Sequence, residues 1–236
     1  MKLLFTPEVD LGHYTLDENE SHHAVHVLRL RKGDVVQTTD GNGNIFEAII
    51  EDEDSKNVVI TVIRKISSAE KKPFSVNIAI APTKNIDRLE WFLEKATEIG
   101  IDNIYPIICR HSERKEIRID RLNKVIISAI KQSLNPFCPI LHPLMKFQEL
   151  VEIPFSGQKS IASQPHAQQD LSTFCHKGES QLIVIGPEGD FSMDEIQSAQ
   201  KAGFTCVSLG SSRLRTETAA LYSCMAINFM NQNLTF

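Results

Sequence analysis

Residues 182–192 read LIVIGPEGDFS: an apolar run of strand length breaks into Gly186-Pro187-Glu188-Gly189 and leads directly into a helix start. Gly186 and Gly189 allow a ligand close to the main chain, because no Cβ stands in its way. Ser192 and Glu195 have capping-box spacing, and Phe191 and Ile196 have the spacing of a hydrophobic staple. The same order recurs at 207–220, VSLGSSRLRTETAA, where Leu209-Gly210-Ser211 turns out of a short strand. Thr216 is the expected N-cap of a last helix running through Leu221, Met225 and Phe229. Ligands of open α/β sheets sit at such strand-end loops. Taken singly, each segment also reads as an ordinary tight turn built from Gly and Ser.

Charged groups at these loops define the available chemistry. Arg213 or Arg215, at the mouth of the last helix, can face a developing anion or a phosphate, and Arg215 is preferred because it adjoins the cap. Glu217 can accept a proton. An acidic residue in a first helical turn also stabilises the helix dipole without any catalysis, so both roles stay open. Glu188 is either a proton acceptor or a loop residue held by its Pro and Gly neighbours.

The elements that must position these residues follow an α/β grammar from residue 74 onward. Strand-like runs lie at 76–80, 104–109, 160–162, 182–185 and 206–209, with helical periodicity between them. Asp87 and Glu90 have capping-box spacing ahead of Leu89, Phe92, Leu93, Ala96 and Ile99, and Gly100 stops that helix. Trp91 and Phe92 are both assigned to its core. Such alternation predicts a largely parallel sheet with helices on both faces. Residues 1–70 instead carry strand-like runs at 35–39, 45–50 and 58–63, with the Asp40-Gly41-Asn42-Gly43-Asn44 turn joining the first two. They predict a small barrel. The polar stretch 67–73, ending in Pro73, marks the boundary, giving domains at 1–70 and 74–236.

The 236 residues carry a net charge of −5, which excludes a uniformly basic surface and leaves any nucleic-acid contact to local patches. Arg29, Arg31 and Lys32 form one; Arg110, Arg114, Lys115, Arg118, Arg121 and Lys124 form another. Both also read as solvated charged faces. No apolar run is long enough for a membrane span, and no basic-plus-apolar leader opens the chain. Five cysteines without a C-x-x-C pair read as free thiols of a cytoplasmic protein, and neither they nor the eight histidines suggest a metal site. The first α/β strand leads into Ala81-Pro82-Thr83-Lys84, without glycine, and no phosphate-binding G-x-x-x-x-G-K-[ST] occurs. Rossmann-type and NTPase readings lose support accordingly.

Taken together, IGPEGDFS and LGSSRLRTETAA resemble the signature pair of the SPOUT superfamily of RNA methyltransferases, most closely the RsmE family of 16S rRNA (uracil(1498)-N(3))-methyltransferases. His26-Val27-Leu28-Arg29 with Gly33-Asp34, the Asp40-Gly41-Asn42-Gly43 turn, 95–101 (KATEIGI) and, more loosely, 129–133 (AIKQS) with Pro139 extend the likeness over nearly the whole chain. The chain departs from the family pattern at Asp190, where a second Gly is usual, at Lys131 and Asn135, where Glu and Arg are usual, and at an N-terminus holding only Lys2.

The resemblance implies a C-terminal SPOUT α/β domain with a deep trefoil knot binding S-adenosyl-L-methionine, a small N-terminal PUA-like β-barrel that contacts RNA, and a homodimer. It implies a cofactor site in which Ile185, Leu209 and Leu214 are apolar walls and Gly186, Gly189 and Gly210 give backbone access. Pro187, Glu188, Ser211 and Arg215 lie in the same loops, and Ser163 and Gln164 form a third wall. Arg29, Arg31 and Lys32 become the RNA-binding candidates, with 16S rRNA of the small ribosomal subunit as partner and Arg215 and Glu217 as catalytic candidates. His22, His23 and His26 fall beside the RNA patch, and His26 is expected to be half-buried. Methylation of tRNA or of another rRNA site, and a non-catalytic RNA-binding assembly factor, are the competing readings.

Overall fold

The computed structural model of the chain describes residues 2–232. They divide into two units: the chain up to Lys71 together with Ile127–Cys138, and Lys72–Ile126 with Pro139 onward. Residues 127–138, expected in the second domain, therefore cluster with the first. The reason is a set of contacts within the first unit. Lys131 meets Glu20 at 2.8 Å, and both side chains are almost fully enclosed. Cys138 donates its N–H to Gly41 O at 2.8 Å, and Gly43 donates to Pro136 O at 2.9 Å.

In the first unit, β1 (Leu3–Phe5), β2 (Gly12–Thr15), β3 (Val35–Thr39), β4 (Asn44–Asp52) and β5 (Val59–Ser68) form one sheet in the order β1-β3-β4-β5-β2. The pairs are antiparallel except β1 with β3. Val36, Phe46, Ala48, Ile50, Ile60 and Val62 are buried at a spacing of two, the alternation of a sheet covered on one face. Asp40 Oδ1 accepts from Asn42 N–H at 2.7 Å and Asn44 N–H at 3.2 Å, closing the expected turn between β3 and β4. After α1 (Glu18–His22) the chain widens into a π-helical turn, His23–Val27. Ala24 takes the buried position of that turn, so His26 is exposed rather than half-buried, its ring 4.5 Å from that of His22. His23 is held below the ordinary histidine range, first by burial and then by the Lys131 ammonium, with Glu20 opposing.

The second unit is built on a sheet with every pairing parallel. Its strands are β6 (Val76–Ile80), β7 (Asn103–Ile108), β8 (Ile140–Leu141), β9 (Met145–Lys146), β10 (Gln158–Ala162), β11 (Gln169–Asp170), β12 (Gln181–Ile185) and β13 (Thr205–Ser208). They run in the order β11-β13-β10-β12-β6-β7-β8, with β9 also paired to β7. The helices are α2 (Ile86–Ile99), α3 (Ile119–Ser133, whose last residues join the first unit), α4 (Phe147–Val151), α5 (Leu171–Phe174), α6 (Met193–Lys201) and α7 (Thr216–Asn231).

Both sheet faces are covered. Ala79, Leu182 and Val184 pack with Phe147 and Leu150 of α4 and Ile196 and Ala199 of α6. Alternate residues of β6 and β12 point the other way, where α7 packs on both strands and on α2. Asn85 rather than Asp87 caps α2, its Oδ1 accepting from Asp87 N–H at 3.1 Å, and Gly100 ends the helix in the left-handed region at φ 105°. Phe92 is fully buried, whereas Trp91, expected beside it in the core, points about 100° away and is exposed.

The Glu20–Lys131 pair generates a prediction. Lys131→Met leaves a carboxylate that is only 7 % exposed with the Phe5 N–H as its remaining contact. Urea unfolding should then show a loss of about 3 kcal/mol, the cost of stranding one partner of a buried pair. Adding Glu20→Gln should recover part of it.

Candidate functional site

Strands β10, β12 and β13 end level with one another. Ala162 pairs with Ile185 on one side and with Val207 on the other. The two glycine-bearing loops therefore do not leave adjacent strands: β10 lies between theirs, and its own end supplies the middle wall. A cavity of about 640 Å³ opens over these three ends, within the range of small-molecule sites.

Most of the residues expected there line it. Ser163 and Gln164 come from the end of β10, Ile185, Gly186, Pro187 and Glu188 from β12, and Leu209, Gly210, Leu214 and Arg215 from the loop after β13. Gly189 and Ser211 do not. Gly189 backs onto His111, whose Cβ would lie 3.0 Å from an added Cβ, and Ser211 is turned to solvent. At Gly186 an added Cβ would meet the Phe191 ring at 2.9 Å, so the missing side chain there makes room for the staple residue. At Gly210 nothing stands within 4 Å, and the requirement is the backbone itself, at φ 104°. Asp190, Arg213 and Thr216 also line the cavity.

Local chemistry explains how the loops hold their shape. The Ser192–Glu195 capping box forms as expected: Glu195 Oε2 accepts from Ser192 N–H at 2.8 Å, and Ser192 Oγ accepts from Glu195 N–H at 3.4 Å. The other Glu195 oxygen accepts from Arg110 N–H at 2.8 Å. Phe191 and Ile196 share one buried cluster, as a staple requires. Asp190 stands at φ 60°, where its side chain accepts from Phe191 N–H at 2.7 Å. Asp is among the few non-glycine residues that enter this region readily, so it can occupy a position where the family usually has Gly. Ser208 Oγ accepts from Gly210 N–H at 3.0 Å and fixes the turn after β13.

Thr216 corrects the expected capping. Arg215 occupies the N-cap of α7 without a side-chain cap bond, and Thr216 is the first helical residue. Its buried hydroxyl donates to Gly186 O at 3.0 Å, tying the last helix to the loop after β12.

The charged residues separate. Arg213 and Arg215 line the cavity, and neither has a side-chain hydrogen bond or ion pair among the described residues. Glu188 also lines it, with one oxygen accepting from Lys84 N–H at 3.1 Å. Lys84 and its neighbour are held in turn by Arg114, which donates to Thr83 O at 3.0 Å and Lys84 O at 2.8 Å. Glu217 is not brought to the cavity. It is 7 % exposed, lies 3.8 Å from Arg88 Nε, and borders a smaller hollow with Asp87, Trp91 and Thr218. One helical residue beyond Thr216 points about 100° away, which turns Glu217 toward α2.

The basic patches are partly neutralised. Arg31 meets Glu53 at 3.5 Å, and Lys32 donates its backbone N–H to Glu53, whereas Arg29, at φ 54°, has no side-chain partner among the described residues. In the second patch Arg110 pairs with Asp194 at 3.2 Å and Arg121 with Glu90. Among the described residues no cluster of His, Cys, Asp and Glu could hold a metal ion.

Sequence reasoning did not single out Thr216 as the tie between loops, nor Pro165 and Ala162 as cavity residues. The signal for the latter was present in the Ser163-Gln164-Pro165 strand end. The Thr216 hydrogen bond yields a prediction. Thr216→Val keeps the side-chain shape but strands the Gly186 carbonyl, so thermal unfolding should report a loss of about 1–2 kcal/mol.

Comparison with known proteins adds to this geometry. A model described as RNA methyltransferase domain matches residues 70–228, and one described as RNA methyltransferase PUA domain matches residues 16–63. The chain is 28% identical to ribosomal RNA small subunit methyltransferase E of Bacillus subtilis, over 94% of this chain and 91% of that protein. Among solved structures it is similar to a probable rRNA-methyltransferase from Porphyromonas gingivalis, with 40% identity, 98% of each chain covered and a TM-score of 0.87. It is also similar to a ribosomal RNA small subunit methyltransferase E from Neisseria gonorrhoeae bound to S-adenosyl methionine, with 28% identity, all of both chains covered and a TM-score of 0.86. The cavity over three level strand ends thus belongs to a member of the RNA methyltransferase family, in its ribosomal RNA small subunit methyltransferase E group.

Proposed function

We propose that this protein is an S-adenosylmethionine-dependent methyltransferase acting on N3 of uridine 1498 in 16S rRNA. The observation that carries the reading is the cavity over β10, β12 and β13 with Arg213 and Arg215 on its wall and no protein partner for either among the described residues. The relatives' names supply small-subunit ribosomal RNA as the substrate, the family resemblance of the sequence supplies N3 of uridine 1498, and the Neisseria protein's bound ligand supplies the cofactor.

The residues present fit that cofactor. Ile185, Leu209 and Leu214 offer apolar walls to an adenosyl group, main chain at Gly186 and Gly210 lies at the surface of the cavity, and Ser163 and Gln164 provide polar groups on the third side. When bound, S-adenosylmethionine supplies a methyl group on a sulfonium centre. Uracil N3 carries a proton that must leave, so negative charge develops on the imide as the base reacts. Arg215, at the positive end of α7, is placed to stabilise that charge, and the rate then rests on alignment and electrostatics. Glu217, buried toward Arg88, acts in this reading as a first-turn acid of α7 rather than as proton acceptor.

The first unit, read as a PUA-like barrel, contacts RNA through Arg29, with Arg31 and Lys32 beside it. The second unit carries the trefoil knot typical of SPOUT domains. The reading places the protein in the cytoplasm. In keeping with this, no disulfide joins any of the five cysteines, and burial raises Cys138 to about 11 and Cys224 to about 12. No helix among the described residues is long and apolar enough to cross a membrane. A homodimer is supported by α7, where Tyr222, Met225 and Phe229 are exposed on consecutive turns, Phe229 at 65 %. Apolar groups at this spacing on one helix face are suited to a second copy of the chain.

Four outcomes are expected. Reverse-transcription mapping of 16S rRNA should find the N3 methyl group in cells carrying the protein and not in cells lacking it; a non-catalytic assembly factor would leave the two alike. Gly210→Val should weaken S-adenosylmethionine binding about tenfold or more in calorimetry, since a β-branched residue cannot hold that φ without strain. Arg215→Ala should lower turnover about 10²–10³-fold while changing cofactor affinity far less, as expected for loss of a group acting on the transition state. Sedimentation should further show Met225→Glu shifting the protein from dimer to monomer.

A further inference from the structure

At the middle wall of the cavity, Ser163 and a histidine behind it have the chemistry of an adjustable hydrogen-bonding group. Ser163 follows the last residue of β10 and is buried, with 3 % exposure, yet it lines the cavity. Its backbone is fixed to the next strand, because Ser163 N–H donates to Val207 O at 3.2 Å. The chain then makes one tight turn, Gln164–His166, with Pro165 fixing φ at its second residue. His166 N–H donates to Ser163 O at 3.1 Å, which folds the imidazole back over the residue that started the turn. The result is a contact of 3.0 Å between His166 Nδ1 and Ser163 Oγ. Among the described residues this is the only side-chain partner of the Ser163 hydroxyl. His166 itself is half-buried and does not line the cavity.

We propose that His166 is a positioning residue of the cofactor site, holding the Ser163 hydroxyl toward the cavity and setting the hydrogen bond that it offers there. A hydroxyl has one proton and two lone pairs, and an imidazole nitrogen either donates or accepts. When Nδ1 lacks a proton, Ser163 donates to it and presents only lone pairs to a ligand. When Nδ1 carries the proton, Ser163 accepts from it, and its own proton is free for a ligand acceptor. In both states the ring fixes the Ser163 rotamer, so a ligand meets a group already oriented rather than a rotor that must be frozen on binding. S-adenosylmethionine offers acceptors in its carboxylate, ribose oxygens and ring nitrogens, and donors in its ammonium, hydroxyl and amino groups. The inference rests on the methyltransferase reading for the identity of that ligand and on the geometry for the role of His166.

The test is calorimetric binding of S-adenosylmethionine to the full-length protein and four variants, with thermal unfolding run on each. Ser163→Ala and His166→Phe should each weaken binding about tenfold, the scale of one lost hydrogen bond. The Ser163→Ala/His166→Phe double variant should bind no more weakly than Ser163→Ala alone, because both changes remove the same interaction. His166→Asn, whose amide reaches the position of Nδ1 and can donate or accept, should restore most of the affinity. A purely structural role for the ring predicts a different pattern, with lower melting temperature, additive losses and no rescue by Asn. Additive losses, or wild-type affinity in His166→Phe, would overturn the proposal. A wild-type protein that binds no S-adenosylmethionine would overturn the methyltransferase reading together with it.

Discussion

The level ending of β10, β12 and β13 is the constraint on which the rest of the second unit depends. A parallel pair has evenly spaced, slanted hydrogen bonds, so a slip of one residue would turn each side chain at the strand end to the opposite face. Burial on both faces of β12, where every residue from Gln181 to Ile185 is enclosed, penalises such a slip. The pairing of Ala162 with both Ile185 and Val207 thus brings three loops to one height. None of the loops needs to be long to reach a shared ligand. The Thr216–Gly186 hydrogen bond then fixes the entry of α7 against the β12 side of that arrangement, carrying Arg213 and Arg215 to the wall of the cavity.

Charge in this protein is mostly spent internally, which reconciles an acidic chain with an RNA partner. Arg110, Arg121 and Arg114 look like one basic patch in the sequence but act on Asp194, Glu90 and the carbonyls of residues 83 and 84. Arg114 illustrates why a run of cations is a poor guide to a binding face: its planar fork closes a loop whose N–H holds Glu188. Among the described residues, Arg29 in the first unit and Arg213 and Arg215 at the cavity are arginines without such duties. Exposed pairs are screened by salt and contribute little to stability, so a free guanidinium at a concave wall carries more functional weight than a larger number of paired ones.

Much of this was legible in the sequence because it is local. The capping box at Ser192, the staple of Phe191 and Ile196, the Gly100 stop and the Asp40–Asn44 turn depend on residues within a few positions of one another, and each forms as its spacing predicts. The parts that escaped are those decided across the chain. Thr216 fits an N-cap by type, but the carbonyl of Gly186, thirty residues earlier, claims its hydroxyl. Trp91 and Phe92 are adjacent and equally apolar, and only the placement of α7 and the sheet decides that Phe92 is the one enclosed. Gly189 and Ser211 sit in the right loops, but a neighbour such as His111 determines which loop residues face the cavity.

Two departures from the family pattern, Asp190 and Lys131, follow the same logic, since each is answered by a partner that the sequence pattern does not display. Asp190 keeps a left-handed backbone by pairing its own carboxylate with the next N–H, and so preserves the turn into α6 that a glycine would otherwise permit. Lys131 is matched by Glu20, a residue 111 positions away that also accepts the Phe5 N–H, so that a buried cation and a buried anion satisfy each other. Removing either alone would leave a charge in a poorly solvated place, a far larger penalty than the pair's own net contribution. A buried charge at position 131 is therefore tolerable only with a complementary group at its contact. Through that pair the residue at 131 helps to hold residues 127–138 within the first unit.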